Sequence, residues 1–314
     1  MTLHAPPVTV DTDIWTRVPD EYRKASSTLP WIIANRPGQA LDCFLEGPSF
    51  DRDGNLYVTD IPFGRVFRVT PDAQWSLVAE YDGWPNGLKI HRDGRIFITD
   101  YKAGIMLLDP LRGTVEPILT HRKSESFRGV NDLFFDRNGM MYFTDQGQTG
   151  LHDPSGRVYR YDLDSEQLDL LLSNGPSPNG LVMNPQETVL YVAMTRGNAV
   201  WRVPIFDDGT TAKVSIFTAL AGGIGGADGM AVDEDGSLHV CDPGNGCVWS
   251  FSQWAEPRFR YHGASSGRST TNCAFGGTNN RDLFITDSET GSILRVTTPT
   301  PGEAMFSHHK QVQE

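Results

Sequence analysis

The sequence predicts an all-β fold, a six-bladed β-propeller, on three observations. A short apolar strand returns six times: Leu56-Tyr57-Val58-Thr59-Asp60, Ile96-Phe97-Ile98-Thr99-Asp100, Met141-Tyr142-Phe143-Thr144-Asp145, Leu190-Tyr191-Val192-Ala193-Met194, Leu238-His239-Val240-Cys241-Asp242 and Leu283-Phe284-Ile285-Thr286-Asp287. Successive copies start 40, 45, 49, 48 and 45 residues apart, the length of one four-stranded blade and too long for a leucine-rich or ankyrin repeat. The 314 residues include 32 Gly and 20 Pro, as many short strands joined by many turns require.

Each blade can be read in chain order. A turn precedes the repeated strand, as in Asp53-Gly54, Asp93-Gly94, Asn138-Gly139 and Asp235-Gly236, supplying the positive φ of a tight hairpin, so the flanking segments pair. A third strand opens after Gly64, Gly104, Gly156, Asn198, Gly246 or Gly291. In the third unit residues 146–154 lengthen that connection, and a long loop on a rigid scaffold is expected to form a rim over a pocket. A fourth strand follows, for example Trp75–Glu80 and residues 214–218. None follows Ile293-Leu294-Arg295-Val296, so an N-terminal outer strand is expected to close the ring, and residues 40–45 are the candidate. No linker interrupts the repeats; the expectation is one propeller domain over 1–314, with 1–28 and 298–314 as peripheral arms.

Formal net charge is −12 and the sequence pI is near 5.1. With no basic stripe, a phosphate backbone or an anionic membrane would be repelled, so neither nucleic acid nor membrane is an expected partner. The N-terminus lacks an apolar signal-peptide core and no window reaches transmembrane length, which together predict a cytoplasmic protein. Cys43, Cys241, Cys247 and Cys273 form no CxxC pair and read as small buried hydrophobes. Nothing in the sequence specifies an oligomeric state.

The functional signal stands just before the repeated strands. Glu46, Asn86, Asn131, Asn179, Asp228 and Asn272 precede them by 10, 10, 10, 11, 10 and 11 residues. All six carry a side-chain oxygen, and six equivalent sites at the start of the innermost strands form a ring around one mouth of the central channel. Carboxylates and amide carbonyls without Cys or His suit a hard cation such as Ca²⁺. Asn-Gly and Asp-Gly are also ordinary turn pairs, but Glu46-Gly47-Pro48 is poor turn chemistry and keeps the oxygen, which favours a metal. One divalent ion is expected, calcium first, with Mn²⁺, Zn²⁺ and Mg²⁺ as alternatives.

Glu46-Gly47-Pro48, Asn131-Asp132, Pro178-Asn179-Gly180-Leu181 and Ala227-Asp228-Gly229-Met230, in this order and spacing, resemble the senescence marker protein/gluconolactonase/regucalcin-like family over about residues 41–296. The resemblance implies a six-bladed propeller with a bound divalent ion and lactonase or related esterase activity. It implies Glu46, Asn179 and Asp228 as metal ligands and Asn131 as a substrate contact; Asn86 and Asn272 extend the set by the repeat. Arg128 and Gln146 are further substrate candidates. Arg128 lies three residues before Asn131, where sugar-lactone members place an arginine two before, which points away from aldonolactones.

The expected chemistry is hydrolysis of a small lactone or ester: the ion polarises the carbonyl, Asp228 is the general base and Glu46 anchors the metal. A phosphotriesterase-like hydrolase and a non-enzymatic calcium-binding or interaction propeller are the alternatives. Gly175-Pro176-Ser177-Pro178-Asn179 lacks the serine-hydrolase elbow. His239 reads as a core histidine and His308-His309 as a solvated tail. Trp84, Phe127, Met194, Gln146 and Pro243 are expected near the mouth of the pocket.

Overall fold

The computed structural model describes residues 5–220, 222, 224–263 and 267–309; the outermost parts of both predicted arms lie outside them. Six antiparallel sheets follow one another along the chain, and their innermost strands begin at Leu45, Pro85, Val130, Pro178, Met230 and Thr270. Each inner strand packs against the next, and the sixth returns to the first, so the sheets close into a ring of six blades.

The repeated apolar strand is the second strand of each blade, and both of its faces are buried. Successive side chains point to opposite faces. In the first blade Leu56 and Val58 enter the core shared with the sixth blade, and Tyr57 enters the core shared with the second. Six such cores lie between consecutive blades. A strand buried on both faces reads as a continuous apolar run rather than an alternating one.

The Thr-Asp that ends several copies orients the inner strands. Thr59 donates to the carbonyl of Asn86 in the next blade at 2.6 Å, and Thr144 to that of Asn179 at 2.8 Å; Thr99 does the same to Asn131. The aspartates are fully buried and tie down the chain leading into their own blade. Asp60 accepts from the amide of Phe44, Asp100 from Trp84, and Asp145 from Arg128 and Gly129. A motif repeated for structure thus fixes the backbone at Asn86, Asn131 and Asn179.

The ring is closed by an N-terminal outer strand, but not by residues 40–45. Asp13–Arg17 pairs antiparallel with Ser292–Thr297 as the outer strand of the sixth blade. Val8–Asp11 pairs parallel with Pro257–His262 at the rim of the fifth. The predicted N-terminal arm is therefore partly sheet. Ile14 and Trp15 pack into the cores on opposite faces of the sixth blade, and Trp15 packs edge-on to Phe284 with ring centroids 5.0 Å apart. Residues 40–45 instead lead from a short helix, Pro30–Asn35, into the first blade. The C-terminal segment also packs: Phe306 is buried against His91 and Phe135 at the far end of the channel. His239 is a core histidine, 1% exposed beside Tyr261 and Phe275. Truncating Trp15 to Ala removes the main apolar anchor of the closing strand. It is expected to destabilise the fold by about 2–3 kcal/mol, read as a lowered thermal midpoint; an unchanged melt would show that the strand contributes no closure energy.

Candidate metal centre

Residue pairing defines the ring more sharply than sequence offsets do. In five blades the first inner-strand residue pairs with the last residue of the second strand: Leu45 with Asp60, Pro85 with Asp100, Val130 with Asp145, Pro178 with Met194 and Thr270 with Asp287. The next residue is the ring position, and a bulge follows at or beside it in each strand, turning its side chain out of the ladder. Those residues are Glu46, Asn86, Asn131, Asn179 and, in the sixth blade, Thr271. In the fifth blade the position falls on Asp228, two residues before its inner strand.

Asn272 therefore lies one residue deeper than predicted, level with Gly47, Gly87, Asp132, Gly180 and Gly229. The glycines of this second layer are not turn residues. A Cβ on Gly47 would overlap the carbonyl of Asn86, one on Gly180 the backbone of Asp228, one on Gly87 the carboxylate of Asp132 and one on Gly229 the amide of Asn272. Four glycines thus let neighbouring inner strands approach closely and leave room for two polar side chains, Asp132 and Asn272. The Asn272 amide donates to Glu46 Oε2 at 2.9 Å and to Asp132 Oδ2 at 3.2 Å. The Lys89 ammonium lies 3.9 Å from Asp132 Oδ1 and is the nearest cation of the layer below.

Above this floor lies a cavity of about 300 Å³, at the lower end of the range for small-molecule sites (roughly 300–1,000 Å³). Glu46, Asn86, Asn131, Asn179 and Asp228 all line it. Gln146 lines it too, accepting from the Asn131 amide at 3.0 Å and donating to Ser177 at 2.9 Å. Apolar wall is supplied by Trp31, Phe44, Ile61 and Tyr101, with Trp31 carried by the helix Pro30–Asn35.

The carboxylates are crowded. Burial, reinforced by repulsion from Asp132, pushes the Glu46 carboxyl up to about 7, against the pull of the Gly47 amide, Asn272 and Lys89. Burial and then repulsion from Glu46 and Asp132 hold Asp228 well above the usual carboxylate range, and Arg36 and an Asn179 hydrogen bond offset only part of this. Burial likewise raises Asp132. Glu46 Oε2 is tied down by the Gly47 amide at 2.9 Å and by Asn272, leaving Oε1 for a ligand. Among the described residues no three His, Cys, Asp or Glu side chains converge as a metal-binding group. The donors are instead two carboxylates with neutral amide oxygens, a set that fits a hard divalent cation, whose charge would relieve the repulsion.

The model of the SMP-30/gluconolactonase/LRE-like region matches residues 44–289. The chain belongs to the SMP-30/gluconolactonase/LRE-like family. Lactonase drp35 of Staphylococcus aureus (strain MRSA252) is 30% identical over 238 residues, covering 73% of this chain and 71% of its own. Among solved structures, regucalcin from Agrobacterium tumefaciens, described as a calcium-binding protein, is 19% identical with a TM-score of 0.77, over 96% of this chain and 98% of that one. A gluconolactonase from Xanthomonas campestris is 20% identical with a TM-score of 0.72, over 93% and 97%. These two show the shared propeller fold.

In this SMP-30/gluconolactonase-like propeller, two predicted substrate contacts do not reach the cavity. Arg128 is exposed and its guanidinium turns to Ser155 in the long third-blade loop. Asn272 is 3% exposed and holds two carboxylates together beneath the ring. Of the residues expected near the mouth, Gln146 and Pro243 line the cavity. Met194 is fully buried, Phe127 packs on Phe143 and Tyr159, and Trp84 packs beside Tyr101. The sequence reading missed Ile61, Tyr101 and Thr195, although each directly follows a second strand as Gln146 and Pro243 do. Replacing Asn272 with Ala strips a donor from both Glu46 and Asp132. This is expected to cost about 2 kcal/mol or more in the melt of the chelated protein and to weaken calcium binding measured by calorimetry; unchanged values in both would show that the amide does not organise the floor.

Proposed function

We propose that this protein is a metal-dependent lactonase that opens a small lactone at the ring of Glu46, Asn131, Asn179 and Asp228. The observation that carries the reading is one cavity whose floor is two crowded carboxylates among amide oxygens and one side of which is an apolar wall of Trp31, Phe44, Ile61 and Tyr101. Membership of a family with lactonase and gluconolactonase relatives supports the same chemistry.

Glu46, Asn179 and Asp228 would hold the divalent ion, calcium by preference for an all-oxygen set. When bound, the ion would polarise the lactone carbonyl and stabilise the oxyanion that forms there. Asp228 is the base: it lies on the cavity floor and stays partly open to the cavity, whereas Glu46 is 4% exposed. Its carboxylate takes a proton as water adds to the carbonyl carbon, and the proton is returned to the ring oxygen when the carbon–oxygen bond breaks. Asn131, held by Gln146, is placed to orient the substrate, and Asn86 completes the polar side of the floor. Trp31, Phe44, Ile61 and Tyr101 keep bulk water from the reacting bond.

The test is pH-stat hydrolysis of a panel of γ- and δ-lactones by chelated and calcium-restored protein. The expected result is turnover that disappears with chelator and returns with metal. Tight calcium binding with no turnover on any lactone would overturn the reading in favour of a binding propeller.

A further inference from the structure

The chain has 39 acidic and 27 basic residues, yet three arginines, Arg36, Arg196 and Arg268, line the cavity above the carboxylate floor. None of the three guanidinium groups makes an ion pair or a hydrogen bond among the described residues. Arg196 and Arg268 are exposed, whereas the buried arginines Arg65 and Arg157 are paired, Arg65 with Asp60 and Arg157 with Asp145 at 3.0 Å. The three come from separate places in the fold: Arg36 from the end of the helix Pro30–Asn35, Arg196 from the turn after the fourth blade's second strand, and Arg268 from the segment before the sixth blade. Arg36 is half-buried, and its guanidinium stacks over the Phe44 ring at 5.1 Å from the centroid, which restrains it at the cavity wall. Burial works against its charge, Arg196 opposes it, and Asp228 and then Glu289 support it.

A cavity with an acidic floor and a cationic rim orients a ligand. With a divalent ion offsetting Glu46 and Asp228, the arginines make the rim the positive side of the cavity, so a free anionic substituent would be drawn to the rim, leaving the uncharged ring and its carbonyl over the floor. Guanidinium is the group best shaped for a planar carboxylate, which it binds through two parallel hydrogen bonds, and a cavity of about 300 Å³ admits only a small acid. We infer that the substrate is a small lactone bearing a carboxylate, held by Arg36 with Arg196 and Arg268 while its carbonyl lies on the axial carboxylate ring. This rests on the lactonase reading and names its substrate class.

The test compares a γ-lactone carrying a ring carboxylate with its uncharged primary amide, using calcium-loaded protein. The ratio of kcat/KM, acid over amide, is expected to be roughly tenfold or more in the native protein and to fall toward one in the triple variant Arg36→Gln, Arg196→Gln, Arg268→Gln. Arg36→Lys, which keeps the charge without the fork, is expected between them. Because a ratio is read, a general loss of activity does not mimic the result. A native ratio of one or less, or a ratio the triple variant leaves unchanged, overturns the inference. If neither lactone is hydrolysed, the lactonase reading falls, and calorimetry with the unhydrolysed lactam pyroglutamate against pyroglutamamide decides the arginine site alone. Tighter binding of the acid that the triple variant loses supports it; equal binding of the two overturns it.

Discussion

Asp228→Asn is expected to lower kcat/KM for lactone hydrolysis a thousandfold or more while the fold persists. The substitution is nearly isosteric, and Asp228 sits where burial and two neighbouring carboxylates already oppose its negative charge. The metal-free variant is therefore not destabilised and is expected to melt at or above the native temperature. What it would lose under the proposed mechanism is a base for the attacking water, usually a factor of about 10²–10⁴, together with one charged donor to a bound ion. The two losses can be separated. Calorimetry gives the drop in calcium affinity, and turnover at saturating calcium gives the remainder, which belongs to proton transfer. If turnover at saturating metal stays within tenfold of native, Asp228 is only a ligand and the base lies elsewhere.

The same residues show how far the sequence could be read. The blade period was legible because an interior strand buried on both faces must be apolar throughout, and six copies of one environment demand six similar strands. Glu46, Asn86, Asn131, Asn179 and Asp228 were legible because a fixed length of inner strand separates them from the hairpin. The sixth blade broke that rule: its hairpin, around the turn Thr278–Asn280, is two residues longer, so the ring position is Thr271, 12 residues before Leu283 (283 − 271). Asn272 had the right chemistry one residue too deep. Asp132 was hidden because it takes the place of a glycine whose purpose, room for a neighbour's side chain, shows only in three dimensions. The closing strand Asp13–Arg17 and the helix Pro30–Asn35 belong to no repeat, and Arg36, Arg196 and Arg268 are brought together only by the closure of the ring.

Calcium is expected to raise the melting temperature by an amount that grows as pH rises from about 5 to above 7. In the unfolded chain the Glu46 carboxyl releases its proton near its ordinary value of 4.5, whereas in the metal-free fold it holds it to about 7. Between those values the folded state keeps a proton that the unfolded state has lost, so stability falls as pH rises through the window and is fully retained only below it. For one carboxyl the loss is on the order of 3 kcal/mol, and Asp228 and Asp132 change in the same direction. Other carboxyls also titrate, some with lowered values such as Asp93, and a melt of the chelated protein alone would mix them all. They contribute equally with and without metal, so the difference between the calcium-loaded and chelated melts isolates the axial cluster. Bound calcium would replace the protons and remove the repulsion, so the loaded protein is expected to be spared the loss. In Glu46→Gln the difference should shrink and lose much of its pH dependence, because one ligand and one titrating group vanish together. A calcium effect that stays constant across this pH range in the native protein would show that the ion does not bind the carboxylates of the ring.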